Sequence, residues 1–212
     1  MTTHSADSRT ILQALMALHR AWPIERRICQ EASDGARETY VAVLTRWIKT
    51  ASAPAPVGLD IEALNELLAL DALFLTNDED AIAVPPFCPV KTDIVVHFPH
   101  ETLYALSAFD ALAQPRLLGS ACVIEAPCPM SGKPIQLQLD ARGNPLDGEL
   151  DKAVISLDKT RNHVRRYALD LAPGIKFLHP DMLATAPQRL SLGEAIAVAH
   201  AFYGFQRKLL QR

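Results

Sequence analysis

The sequence predicts an α+β fold: an N-terminal helical, winged-helix-like part over residues 1–84, then a mixed or antiparallel sheet with flanking helices over 85–212. Three observations lead there. Apolar residues recur at three- and four-residue steps through much of the first seventy positions. The middle of the chain is rich in β-branched and alternating runs. The last twenty or so residues return to an amphipathic helical pattern. With 212 residues and 49% hydrophobic content, the chain can bury one large core or two small ones.

In order, Ile11, Leu15, Leu18 and Trp22 share a face of a first helix, over 9–22, stopped by Pro23. Tyr40, Val41, Leu44, Trp47 and Ile48 form the buried stripe of a second, over 37–50. The run A-S-A-P-A-P-V-G, residues 51–58, is a loop, because its alternating prolines cannot continue a helix. Asp60 is the N-cap of a short helix through Leu70. A-L-F-L-T and A-I-A-V then flank N-D-E-D, residues 77–80, as a hairpin. Helices followed by a hairpin are winged-helix-like, but the helix before the hairpin and its flanks carry Asp60, Glu62, Glu66 and Asp71 and no Lys or Arg. A helix that reads DNA needs cationic and amide donors, so nucleic acid is disfavoured as a partner.

P-P-F-C-P, residues 85–89, connects the two parts and holds Cys88; T-D-I-V-V-H-F suits a strand. The steps of Leu103, Leu106, Phe109 and Ala113 predict a helix beginning at Leu103 and closed by Pro115, with Tyr104, Ser107 and Asp110 as a polar stripe beside the apolar one. S-A-C-V-I-E and P-I-Q-L-Q-L-D read as strands around the loop A-P-C-P-M-S-G-K-P, and A-V-I-S-L and R-R-Y-A-L-D-L as two more. Ser191, with Glu194 three residues on, caps a final helix.

A net charge of -3 and a pI near 6.2 offer no attraction to nucleic acid or to an anionic membrane. The longest apolar runs fall far short of the roughly 20 residues of a spanning helix, and M-T-T-H-S-A-D-S-R lacks the basic-then-apolar order of a secretory signal. Four unevenly spaced cysteines fit a reducing compartment, so the expected localisation is cytoplasmic.

The chemistry concentrates in L-Y-A-L-S-A-F-D-A-L, a Leu-Gly pair some eight residues on, and C-P-M-S-G-K-P-I-Q-L. A hydroxyl and a carboxylate one helical turn apart, Ser107 and Asp110, can converge on one ligand or proton. Over about 101–139 this arrangement resembles the catalytic region of the alkylmercury (organomercurial) lyases, whose helix reads approximately L-Y-A-x-C-A-x-D and whose later cysteine is followed by x-x-(S/T)-G-x-P-(V/I). The resemblance implies an alkylmercury-lyase-like fold for 85–212, with Asp110 at the place of the proton donor and Ser107 at that of a catalytic cysteine. It aligns Cys128 with a cysteine usually considered structural. The family's second catalytic cysteine has no counterpart, since no cysteine follows Cys128.

In that family two thiolates take the mercury while a carboxylic acid protonates the departing carbon. Mercury is soft and prefers sulfur, and a serine oxygen is a hard ligand that stays protonated at neutral pH. Around the proposed catalytic pair, Asp110 and Ser107, the candidate pocket residues are Tyr104, Cys128, His97 and His100. Cys128 and Met130, two residues apart, are the candidate metal ligands. Cys122 and Cys128 are six apart, which is not zinc-knuckle spacing. The implied partner is a small molecule or a metal; cofactor and oligomeric state are left open. Three readings stand: a diverged lyase-like site doing other binding or acid/base chemistry, an active organomercurial lyase using Asp110 with Cys128 or Cys88, and a non-enzymatic regulator or interaction module.

Overall fold

The structure, a computed structural model, describes residues 7–76, 78, 80–157, 166–182 and 189–211. Helix α1 (Ser8–Ala21) starts where the Asp7 side chain accepts the Arg9 N–H and ends at the Trp22-Pro23 stop. A single turn, α2 (Ile24–Arg26), runs into a π-helical turn over Arg27–Glu31. Helix α3 (Asp34–Thr50) is capped by Ser33, and α4 (Ile61–Ala69) by Asp60, whose carboxylate takes the N–H groups of Glu62 and Ala63. Strands β1 (Phe74–Leu75) and β2 (Ile82–Ala83) pair antiparallel as the expected hairpin; the turn positions 77 and 79 lie outside the described residues.

The central sheet contains β3 (Ile94–His97), β4 (Thr102–Ala105), β5 (Cys122–Pro127) and β6 (Pro134–Leu139), in the spatial order β4-β3-β5-β6. A second sheet of β7 (Val154–Leu157), β8 (Ile175–Leu178) and β9 (Arg189–Ser191) has β7 in the middle. Every pairing between these strands is antiparallel, as in an α+β fold. Helix α5 (Ala108–Leu118) follows β4, and α6 (Leu192–Phe202) and α7 (Gly204–Leu210) close the chain. Helix α5 packs on α6 and touches β3, β4 and β8, while α1 lies on α6. One hydrophobic core runs from Ala14 on α1 to Leu209 on α7, with the Trp47 ring stacked 5.5 Å from Phe87.

Four expectations need correcting. The helix does not begin at Leu103. Residues 102–105 form β4, in register with β3 from Ile94↔Ala105 to His97↔Thr102. The run satisfies two periods at once: Leu103 and Ala105 alternate into the core while Thr102 and Tyr104 face outward, and pairing with β3 decides between them. Pro115 does not close the helix either. It sits inside α5, where its missing N–H leaves one backbone bond unmade, and the helix ends at Gly119 in the left-handed region (φ 65°), whose N–H returns to the Pro115 carbonyl.

The stretch read as a strand over R-R-Y-A-L-D-L is, in its described part, a π-helical turn (Tyr167–Leu171) that buries Tyr167 and Leu171 four positions apart. Finally, the terminal helix breaks at Tyr203 into α6 and α7. Ser191 and Glu194 do form the expected capping box.

Candidate active site

Ser107 and Asp110 meet because the chain passes from strand to helix between them. Ser107 is extended (φ -143°, ψ 163°) and is the N-cap of α5, its Oγ accepting the Asp110 N–H at 3.1 Å. Asp110 therefore lies in the first turn, where the exposed N–H groups of a helix favour an anion. Both side chains are buried.

Two tyrosines distant in sequence complete the cluster. The Tyr167 hydroxyl donates to Asp110 Oδ1 at 2.6 Å, and the Tyr203 hydroxyl, from the α6–α7 break, donates to the same oxygen in a short hydrogen bond. The two phenols are 3.1 Å apart, as are Ser107 Oγ and the Tyr167 hydroxyl. Burial pushes the Asp110 carboxyl up to about 6, against the lowering effect of Tyr167, Tyr203 and Ser107. Burial and the neighbouring Asp110 charge hold both phenols well above their ordinary range, so they remain donors.

Cys88, in a bridge pair with Tyr104, is buried beside this cluster. Burial pushes its thiol up to about 11, and the Asp110 charge adds to the rise. Cys128 differs. Its burial works against ionisation, but N–H donors from His179, Met130 and Ser131 and the Ser131 hydroxyl outweigh it, bringing the thiol down to about 7. Cys128 is enclosed in the β5–β6 loop, where its N–H bonds to the Lys133 carbonyl. Met130 in the same loop is 52% exposed. Nearby, an open groove is lined by Pro134, Gln136, Lys152, His179 and Asp181 among others. Among the described residues no three His, Cys, Asp or Glu side chains cluster as metal ligands would.

The other candidates lie apart. His97 is on the outward face of β3, with ring nitrogens 3.2 Å from Thr102 Oγ1 and 3.3 Å from Glu125 Oε2. His100 is exposed in the β3–β4 turn. Tyr104 is half-buried on the β4 face opposite Leu103 and Ala105, and its carbonyl accepts from the Gln114 side chain. So the structure joins Ser107 to Asp110 and adds Tyr167 and Tyr203. No local motif marks the two tyrosines, which reach the carboxyl across 57 and 93 residues.

Residues 87–169, the stretch that holds Ser107 and Asp110, match the family model of the alkylmercury lyases (MerB), so this part of the chain is similar to that family. The chain also superposes on the crystal structure of the mercury-bound form of MerB2, with TM-score 0.65 and 13% sequence identity over 88% of this chain and 98% of that one. At that identity the likeness establishes the fold. No curated protein matches the chain.

Proposed function

We propose that this chain is a diverged organomercurial-lyase-type protein whose Asp110–Ser107 centre carries out acid/base chemistry on a small molecule, or binds one, in place of cleaving carbon–mercury bonds. One observation carries this reading: the side-chain groups that hydrogen-bond the Asp110 carboxyl are hydroxyls, from Ser107, Tyr167 and Tyr203. Hydroxyl oxygens are hard ligands, poorly matched to mercury. The thiol that feels the Asp110 charge, Cys88, is raised to about 11, which leaves about one thiolate in ten thousand at neutral pH.

A carboxyl titrating near 6 keeps about a tenth of its molecules protonated at pH 7, in range for a general acid. Both phenols donate to Oδ1, so a proton taken up by the carboxyl goes to Oδ2. That is the oxygen from which a substrate atom would receive it.

A second reading, an active lyase using Asp110 with Cys128, draws on the Cys128 thiol, which is lowered to about 7, and on the mercury carried by the structural neighbour. Incubation with excess thiol and an organomercurial separates the two. The expected result is no loss of the carbon–mercury bond; turnover that disappears in both Cys128→Ser and Asp110→Asn would overturn the proposal.

The N-terminal part, 1–84, is the proposed winged-helix-like unit, with β1–β2 as its small hairpin. A DNA-binding regulator is disfavoured by Asp60, Glu62, Glu66 and Asp71 on and around α4. No helix of the described residues is long and apolar enough to cross a membrane, and Cys29, Cys88, Cys122 and Cys128 are all thiols, which supports a cytoplasmic setting.

A further inference from the structure

We propose that Asp71 and Trp22, both in the N-terminal part, are positioning residues for the Asp110 centre, acting by fixing Tyr167 so that its phenol meets the carboxyl. The inference rests on the reading of Asp110 as the working acid and assigns part of that centre's construction to the helical half of the chain.

Tyr167 opens a single π-helical turn, and it is held at both ends and across its ring. Its backbone N–H donates to Asp71 Oδ2 at 2.8 Å. Its ring stacks on Trp22 with centroids 4.0 Å apart and planes 22° from parallel. Its hydroxyl reaches Asp110 Oδ1 at 2.6 Å. Trp22 and Asp71 are themselves tied, since the indole N–H donates to the Asp71 carbonyl at 2.9 Å. Arg27 lies 3.6 Å from the same Asp71 oxygen that receives Tyr167. A chain of contacts thus runs from α1 through the turn after α4 to the phenol and the acid.

The turn itself does not call for a carboxylate. Asp71 has φ 52°, a left-handed conformation open to glycine, asparagine and aspartate alike. A partly buried anion is a costly choice there, and burial does raise the Asp71 carboxyl against Tyr167, Arg27 and Arg166. What the carboxylate adds is an acceptor for the Tyr167 N–H. The groups that set the Asp110 titration are Ser107, Tyr167 and Tyr203, with Cys88 close enough to feel its charge; those around Asp71 are Arg27, Arg166 and Asp170.

The test is the Asp110 titration in the full chain, followed by carboxyl carbon NMR and assigned by the signal missing from Asp110→Asn. Tyr167→Phe should raise the midpoint by about one unit, because a donor to the carboxylate is lost. Asp71→Gly, which keeps the turn, should raise it in the same direction and add nothing to Tyr167→Phe. Asp71→Asn retains an acceptor and should give no rise, only the small fall that loss of a nearby negative charge brings. Trp22→Phe should move the midpoint the same way as Asp71→Gly.

Removing the Asp71 charge with no positioning effect would instead lower the midpoint. A fall or no change in Asp71→Gly overturns the proposal, as does an equal rise in Asp71→Asn. If Asp71→Gly does not fold, an unmoved midpoint in Trp22→Phe does the same. An unmoved midpoint in Tyr167→Phe is a different result: it sinks the reading of the Asp110 cluster itself.

Discussion

Asp110 carries a cost that pH can expose. Its carboxyl titrates near 6 in the folded chain and near 3.9 in an unfolded one. The native state therefore binds more protons between those values, and stability falls as pH rises from about 4 to about 6, then levels off. The gap corresponds to about 3 kcal/mol. Chemical denaturation of wild type and Asp110→Asn across that window should show the difference only in the wild type's slope. Ser107→Cys should tighten binding of Hg(II) in calorimetry while costing about 1 kcal/mol of stability through the lost cap; unchanged mercury affinity would mean the position does not correspond to the family thiol. The ultraviolet thiolate absorbance should contain one component with a midpoint near 7 that is absent in Cys128→Ser, since the other buried thiols, Cys88 and Cys122, are raised to about 11 and about 12. At this scale the sequence made Ser107 and Asp110 legible, because three-residue spacing brings them together in either a helix or a cap. Tyr167 and Tyr203 were not legible: their meeting with Asp110 is a product of tertiary packing, and neither carries a neighbouring residue that announces it.

Caps were the best-read features among the elements, and of the two proline stops Pro23 holds while Pro115 does not. Asp60, Ser191 and the Pro23 stop behave as their side chains dictate. The strand β4 was misread because a four-residue strand leading into a capped helix leaves apolar residues that also fit helical steps. Strands β8 and β9 carry little alternation of their own and owe their form to pairing with β7. Gly119 gives a direct check on how α5 ends. A Cβ there meets nothing within 4 Å, so Gly119→Ala costs only the left-handed backbone, about 1 kcal/mol. Thermal unfolding should shift down by about 2–4 °C. A much larger loss would mean that the glycine is also a packing requirement.

Across the whole molecule, the proposed boundary at 84/85 crosses a core that is continuous on both sides. Equilibrium unfolding followed by Trp22 and Trp47 fluorescence, and separately by far-ultraviolet dichroism, should therefore give coincident transitions; separated midpoints would favour two independent units. The link itself bears on this. The Gln206 side-chain amide, from α7, donates to the Pro85 carbonyl at 2.7 Å, and Gln114, from α5, donates to the Pro86 carbonyl at 2.8 Å. Two successive carbonyls of the connecting segment are thus pinned by helices that come later in the chain. A swivel at this point would cost each amide a buried hydrogen bond. The arm that supports the acid cannot swing away from it without the centre of the protein coming apart.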